Sequence, residues 1–202
     1  GDSGVEAIDK MGLEAVEVVK ARVDKHKIDC DLVMGYCDLG HKPRDIEGFR
    51  EDKAWLDSVG YKYETRLLAK EDMHEVVGSD NYLGGLIDMG SGHVHPLNLC
   101  KGEAQAAAAA GAEIFEDSAV TDIQYGTETV VTTAQGKVTC SKLGICGNAY
   151  VAGLNEKLES QVLPAGSYVI ATEPLSAEVA KQVLPQNMAV CDQRVTLDYY
   201  RP

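Results

Sequence analysis

The short motifs by which many enzyme classes are identified are missing from this sequence. Its six cysteines form no C-x-x-C pair, so a zinc site or a dithiol redox centre has no support. No Ser-His-Asp or Cys-His arrangement can be singled out, so hydrolysis by a nucleophile has no support either. The G-x-G-x-x-G fingerprint of dinucleotide-binding domains is also absent, because the nearest candidate, GSGHVH from Gly90, lacks the third glycine.

Positive charge and long apolar runs are scarce as well. The 19 basic residues against 32 acidic ones give a net charge of −13, which disfavours nucleic acids and anionic lipid surfaces as partners. A cationic amine would be attracted, although most acidic proteins are acidic simply for solubility. No apolar run approaches the ~20 residues that span a bilayer, and no signal peptide is visible. Scattered cysteines in apolar runs favour reduced thiols, so we expect a cytoplasmic protein.

The sequence that is present favours a globular fold with one or two domains, since 45% of its residues are hydrophobic. Apolar residues at helical spacing predict an amphipathic helix from Val5 to about His26. A strand is predicted at Cys30–Tyr36, a second charged helix at about Asp45–Val59, and a short helix at about Lys70–Val77.

The clearest helix prediction covers Pro96 to Ala110, where a first-turn proline, an alanine run and Gly111 mark the start, the body and the end. The segments EIF, AVTDIQY, TVVTTA, KVTC and LGIC then predict one strand, a β-meander and a return strand. A strand at SYVIATEPL, a helix near Ser176–Val183 and a strand at VTLDYYR follow. The predicted fold class is therefore mixed α/β.

Two stretches have both a chemical and a simpler structural interpretation. Small residues follow LGIC at Gly147–Ala149, as where a backbone passes close to a nucleotide, but such residues follow strands in any α/β protein. His93 and His95 form an H-x-H pair, yet no third metal ligand stands out and His95 precedes Pro96 as a helix-entry residue would. We therefore expect no metal site.

The strand near the end of the sequence carries two phenols and a guanidinium. Alternation along a strand places Tyr199 and Arg201 on one face and Tyr200 on the other. These side chains are either surface residues or groups that recognise a substrate.

Taken together, the stretch GGLIDMGSGHVHPLNLCKGEAQAAAAAGAEIFEDSAVTDI, the hairpin end TTAQGKV and the stretch LGICGNAYVAGL resemble the middle of the FAD-dependent amino-acid and amine oxidases, the D-amino-acid oxidase group. HPLNL, GNAYVAGL, LPAGSYVIATEPL and LDYYR are most similar to gamma-glutamylputrescine oxidase-like members. The resemblance implies a partial FAD-binding domain with a β-meander, and a mixed-sheet substrate domain. It places substrate-domain segments at 1–88 and 154–202, and the partial FAD-binding domain at 89–153.

The resemblance also implies cofactor contacts. Val120 occupies the position whose backbone meets the adenine end of FAD. Gly147, Asn148 and Ala149 occupy the turn near the diphosphate, where the family often has Gly-Ala-Trp, so this contact differs in detail.

Substrate contacts are implied for Tyr199, Tyr200 and Arg201, on the strand that presents tyrosines to the substrate in relatives. The implied substrate is a small-molecule amine or amino acid whose C–N bond is oxidised, with transfer of a hydride to FAD. No catalytic acid or base is implied.

The sequence starts directly with a helix and stops just after a strand, so we expect an internal fragment that is inactive by itself and associates through exposed sheet edges. The alternative is a binding or interaction module derived from the substrate domain, without catalysis. A plain NAD-dependent dehydrogenase is disfavoured because its fingerprint is absent.

Overall fold

The computed structural model describes residues 2–151 and 153–202. Its helices are α1 (Asp2–His26), α2 (Pro43–Ser58), a 3-10 helix (Lys70–Glu75), α3 (Pro96–Ala109), α4 (Glu156–Glu159) and α5 (Ala177–Val183). Its strands are β1 (Val33–Gly40), β2 (Thr65–Ala69), β3 (Gly84–His93), β4 (Val120–Gln124), β5 (Thr129–Thr133), β6 (Lys137–Cys140), β7 (Ala189–Asp192) and β8 (Tyr199–Tyr200).

These elements form two compact units. The larger unit contains residues 2–111 and 172–202, and the smaller unit contains residues 112–151 and 153–171. The predicted division is a different one: it assigns 89–153 to the cofactor and 1–88 and 154–202 to the substrate. It describes function and stays a prediction.

The larger unit is built on a mixed sheet with the strand order β2-β3-β1-β7-β8. β1 is antiparallel to β3 and parallel to β7, while β8 closes an antiparallel hairpin with β7. One face of this sheet carries the hydrophobic core, which the 3-10 helix and the chain around α5 help to fill. Its buried residues are Cys37, Leu39, Leu68, Met73, Val76, Val77, Tyr82, Ile87, Leu184, Met188 and Val190.

Helix α2 begins directly after β1 and packs very close to the sheet. A Cβ atom on Gly40 would lie 2.6 Å from the end of the Ile46 side chain, so glycine lets the helix pack here without displacing that side chain. The carboxylate of Asp45 accepts hydrogen bonds from the backbone N–H groups of His41 and Lys42, at 3.0 and 2.8 Å, and so caps the helix. The packing and the cap together fix His41 at the end of β1.

The C-terminal half of α1 is held by a cluster of charged and phenolic groups. Glu17 pairs with Lys62, accepts a hydrogen bond from Tyr63 and pairs with Lys20. These donors, Lys62 first, lower the pKa of Glu17 to about 2. Lys20 also donates to the Tyr63 hydroxyl.

The smaller unit consists of the antiparallel meander β4-β5-β6 and the irregular chain that follows it. Every residue of its three strands is exposed or half-buried, and among its described residues Val151 is the buried hydrophobic one. The meander therefore forms a single layer with little core of its own.

The sequence predictions are confirmed for the mixed α/β class, the long helices and the meander. α3 ends at Ala109, and Gly111 adopts the left-handed conformation (φ +96) that favours glycine. The strand predicted at Cys30–Tyr36 instead runs from Val33 to Gly40, because Asp31 turns the chain with φ +49 and pairing with β3 continues to Gly40.

Three predicted strands are wrong within the described residues. EIF (113–115), the return strand LGIC (143–146) and SYVIATEPL (167–175) are all irregular. None of them pairs with any of the described strands, and without a neighbouring ladder a strand-like sequence has no backbone partners to hold it extended.

Candidate functional site

A buried carboxylate organises the C-terminal end of β7. Asp192 is 0% exposed, and its oxygens accept hydrogen bonds from the Arg194 Nε atom at 2.6 Å and from the backbone N–H groups of Arg194 and Asp198, each at 3.1 Å. The Nε2 atom of His41 lies 3.2 Å from the same carboxylate. A buried charge is tolerated where it is paired and hydrogen-bonded in this way.

Burial by itself would raise the pKa of Asp192. The Arg194 guanidinium, the backbone N–H groups of Asp198 and Arg194, and His41 outweigh burial and hold the pKa at about 2. Asp192 is therefore ionised at neutral pH.

The same residue closes the hairpin that leads into β8. The Asp192 N–H donates to the Asp198 carbonyl at 3.0 Å, while its carboxylate accepts from the Asp198 N–H. The Arg194 guanidinium also pairs with the Asp198 carboxylate. These bonds fix the loop immediately before Tyr199 and Tyr200.

Tyr200 is half-buried and faces the core side of the sheet. Its hydroxyl lies 3.3 Å from the hydroxyl of Tyr82, and the Tyr82 ring lies 4.7 Å from the ring of His41. Burial, followed by the contact with Tyr82, raises the pKa of Tyr200 above its ordinary value. The phenol therefore stays neutral and can donate or accept a hydrogen bond.

The opposite face of the sheet carries polar side chains along β1, β7 and β8. Strand pairing places Tyr199 opposite Cys191, and Cys191 opposite Asp38. The Asp38 carboxylate accepts hydrogen bonds from the Tyr36 hydroxyl at 3.1 Å and from the Gln193 amide at 2.9 Å. Burial raises the pKa of Asp38, and the neighbouring carboxylates of Asp52 and Asp88 add to that effect.

Of the three residues predicted to bind substrate, Tyr200 is thus brought next to Tyr82 and close to Asp192 with its partners His41 and Arg194. Tyr199 is 49% exposed on the polar side of β8. Arg201 is exposed, and its guanidinium donates to the Pro202 carbonyl at 3.1 Å. Their roles in substrate binding stay predictions.

Sequence analysis missed His41, Tyr82, Asp192 and Arg194. The spacing of Asp192, Arg194 and Asp198 just before the two tyrosines was a local signal, because short polar side chains often cap turns. His41 and Tyr82 gave no such signal, since 151 residues separate His41 from its Asp192 partner.

The predicted cofactor residues lie in the smaller unit. Val120 opens β4 and pairs with Thr133 of β5. Gly147–Ala149 form a surface turn in which Asn148 has φ +49 and the Tyr150 N–H donates to the Gly147 carbonyl at 2.9 Å. A Cβ atom on Gly147 would lie 3.0 Å from the Val151 side chain.

This turn fits a contact with the diphosphate of a dinucleotide, because exposed turn N–H groups can bind an anion. The residues offer mainly backbone groups. They are too few to hold a whole dinucleotide, so their cofactor role is a prediction for one part of a site.

The H-x-H pair has two separate structural roles. His93 Nε2 lies 3.0 Å from the Asn187 carbonyl, while His95 caps α3 by accepting the Asn98 N–H at 3.3 Å. Within residues 2–151 and 153–202 no group of three or more His, Cys, Asp or Glu side chains could hold a metal ion. No helix in the described part of the chain is long and apolar enough to cross a membrane.

Comparisons of the sequence with known proteins identify its family. The family described as FAD dependent oxidoreductase matches residues 2–202, so the chain belongs to that family. Its members depend on FAD.

Two curated relatives are similar along nearly the whole chain. The gamma-glutamylputrescine oxidoreductase of Escherichia coli is 38% identical over 192 residues, which are 95% of this chain and 45% of that protein. The probable oxidoreductase OrdL of Haemophilus influenzae is 36% identical over 207 residues, with 100% of this chain and 48% of that protein covered. The chain thus spans about half the length of these relatives.

Solved structures share the fold. L-proline dehydrogenase from P. horikoshii superposes with a TM-score of 0.67 at 16% identity, over 89% of this chain and 48% of that one. Glycine oxidase from Geobacillus kaustophilus superposes with a TM-score of 0.59 at 22% identity, over 72% of this chain and 40% of that one. The predicted mixed α/β fold class is therefore confirmed, and this chain shares its fold with these two enzymes.

Proposed function

We propose that this chain is part of an FAD-dependent oxidoreductase that oxidises the C–N bond of an amine or amino acid. The match of residues 2–202 to the family carries this proposal. When bound, FAD would accept a hydride from the carbon atom beside the amine nitrogen. The contribution of these residues is to bind and orient the substrate.

The polar face of the larger unit supports an amine as the substrate. Asp38 and Asp88 lie on neighbouring strands of one face, and the Asp38 carboxylate is partly shielded from water. A carboxylate in such a place attracts a cationic group more strongly than a fully hydrated one does. Tyr199 shares this face and could donate a hydrogen bond to a polar group of the substrate.

The strand β8 is proposed to contact the substrate from both of its sides. Tyr199 and Arg201 would face the polar side, where Arg201 suits a carboxylate of an amino acid or of a gamma-glutamyl group. Tyr200 faces the side that holds Tyr82. The E. coli relative acts on gamma-glutamylputrescine by its name, and its 38% identity makes this compound the first substrate to test.

Val120 and the Gly147–Ala149 turn are proposed to contact FAD at its adenine end and its diphosphate. Because the 202 residues contain no G-x-G-x-x-G fingerprint, we propose that they do not complete a flavin site and do not turn over substrate by themselves.

The first test is the absorbance spectrum of the purified chain after incubation with excess FAD and desalting. We expect no retained flavin band together with a folded far-UV circular dichroism spectrum. Flavin retained at about one equivalent, with release of peroxide on addition of an amine, would show that the chain is a complete oxidase and would overturn the proposed incompleteness.

The second test addresses the substrate in a protein that contains this chain and retains FAD. Flavin bleaching under anaerobic conditions is compared for gamma-glutamylputrescine, glycine, sarcosine, L-proline and a D-amino acid. Bleaching by gamma-glutamylputrescine alone supports the assignment, and bleaching by none of these compounds contradicts amine oxidation.

A matched pair of variants tests the polar face. In a protein that contains this chain and retains FAD, Tyr199→Phe removes one hydroxyl from the side that carries Asp38, and we expect about a tenfold loss of kcat/KM. Tyr125→Phe, in the smaller unit, removes an exposed hydroxyl whose partner is Asn155 and serves as the control. Equal activity of the two variants would contradict a substrate role for Tyr199.

A further inference from the structure

His41 lies between two groups that can only accept hydrogen bonds. Its Nδ1 atom is 3.2 Å from the backbone carbonyl oxygen of Asn81, and its Nε2 atom is 3.2 Å from an oxygen of Asp192. A carbonyl oxygen has no proton to give, and the Asp192 carboxylate is ionised at neutral pH because its pKa is held at about 2. The imidazole is therefore held between two acceptors, one in the chain before β3 and the other at the end of β7.

Charged groups surround His41. The Asp45 carboxylate at the start of α2 accepts the backbone N–H of His41 at 3.0 Å, so a second anion lies near the residue. The positive charge of Arg194 is shared between Asp192 and Asp198. The titratable and charged groups around His41 are Asp45 and Lys42 of the α2 cap, Tyr82 beside the ring, Asp192 and Arg194 of the hairpin, with Asp198 and Tyr200 beyond them.

Two paths connect this imidazole to Tyr200. The first runs through the Tyr82 ring, which contacts the His41 ring at 4.7 Å and whose hydroxyl lies 3.3 Å from the Tyr200 hydroxyl. The second runs through Asp192, whose backbone and carboxylate close the hairpin that leads into β8. A displacement of His41 would therefore reach Tyr200 both through the side chains and through the backbone.

We propose that His41 is a positioning residue which sets the placement of Tyr200 and of strand β8. The importance of this placement for substrate binding rests on the proposed function of β8. The contacts among His41, Tyr82, Asp192 and Tyr200 do not rest on it.

Nuclear magnetic resonance of the chain, labelled with 13C in tyrosine, tests the proposal. The Tyr200 ring signals are assigned by their loss in Tyr200→Phe. His41→Gln removes the imidazole, and the matched control is His74→Gln, because His74 also lies 3.2 Å from a carboxylate, that of Asp80, but both side chains are largely exposed. Tyr82→Phe retains the ring beside His41 and removes the hydroxyl that reaches Tyr200.

We expect the Tyr200 ring signals to shift in His41→Gln and to stay unchanged in His74→Gln. When His41→Gln is made together with Tyr82→Phe, the shift that His41→Gln causes relative to Tyr82→Phe alone should be clearly reduced. Tyr200 signals that do not respond to His41→Gln, or that respond equally to His74→Gln, would overturn the proposal.

This result is independent of the flavin experiments. If no amine is oxidised while the Tyr200 signals respond to His41→Gln, the proposed function fails and the positioning network stands. If an amine is oxidised while the Tyr200 signals do not respond to His41→Gln, the network fails and the proposed function stands.

Discussion

The five-stranded sheet of the larger unit and the three-stranded meander of the smaller unit differ in how their side chains are covered. In the larger unit, one sheet face is covered by residues from the 3-10 helix and the chain around α5, and Leu39, Met73 and Val190 are almost fully buried. In the smaller unit, the described strand residues are all exposed or half-buried. Strands of both units contain β-branched residues, such as Val190 in β7 and Val131 in β5, so strand composition alone does not explain the difference.

The difference arises from the presence of a second layer. A sheet becomes stable when another element covers one of its faces. Three strands whose two faces are both exposed to solvent bury little apolar surface and gain little stability from it. The larger unit also contains the buried charge of Asp192. A buried charge is tolerated only where folded structure holds its hydrogen-bonding partners in place. We therefore expect the larger unit to resist unfolding more strongly than the meander.

The largest expected effect comes from removing a core side chain of the larger unit. Leu39→Ala should lower the free energy of unfolding by about 2–5 kcal/mol, because it leaves a cavity in a filled core. Val131→Ala in the meander should cost about 1 kcal/mol or less. Urea unfolding monitored by the fluorescence of Trp55, which lies on α2 and is the single tryptophan, reports the larger unit, and far-UV circular dichroism reports both. Similar losses for the two variants would contradict the comparison.

A smaller effect is expected from the buried carboxylate. Asp192→Asn removes the charge that pairs with Arg194 and His41, and should cost about 2–3 kcal/mol in urea unfolding. Asp198→Asn is the matched control, because its side chain is 59% exposed and its pair with Arg194 should contribute less than about 1 kcal/mol. An Asp198→Asn loss as large as that of Asp192→Asn would show that the hairpin, rather than buried charge, is what matters.

Acid should weaken the larger unit through the same residue. The pKa of Asp192 is lowered from 3.8 to about 2 in the folded chain, so its contribution to stability is present above about pH 4 and is lost as the pH falls towards about 2. The expected loss is about 2 kcal/mol, measured by Trp55 fluorescence in urea at a series of pH values. In Asp192→Asn this part of the acid dependence should be missing. If the variant keeps the full dependence, other carboxylates must cause it.

The smallest effect on stability is expected in the smaller unit, where apolar side chains are exposed. Ile170 is 89% exposed, so Ile170→Glu should leave the unfolding free energy within about 0.5 kcal/mol. It should nevertheless reduce self-association of the chain in light scattering, since exposed apolar segments promote association. Gln161→Glu adds the same charge at an exposed polar position and should change association less. A monodisperse wild-type monomer would contradict this prediction.

Sequence reasoning succeeded where the determining signal was local. Pro96, the alanines and Gly111 define a helix through propensity and capping, and the turns between the meander strands are encoded within a few residues of each other. The family resemblance was likewise readable from the order of short segments, and the match over residues 2–202 confirmed it.

Sequence reasoning failed where the structure of a segment depends on a partner that is distant in sequence. The stretch from Ser167 to Leu175 has the composition of a strand, yet no described strand pairs with it and Tyr168 is 92% exposed. The candidate site shows the same limit, because Tyr200 was identified from its sequence while His41 and Tyr82 become its neighbours only through strand pairing.

The sequence by itself determined the acidic surface, the helix boundaries, the meander and the family, since these depend on composition and on contacts within short distances along the chain. Only the tertiary structure decided that Asp192 is buried and ionised, that His41 lies between two acceptors, and that the phenols of Tyr82 and Tyr200 meet. The physical reason is that burial, hydrogen-bond geometry and charge pairing are properties of neighbours in space. In this fold those neighbours come from β1, the chain before β3, and the β7–β8 hairpin.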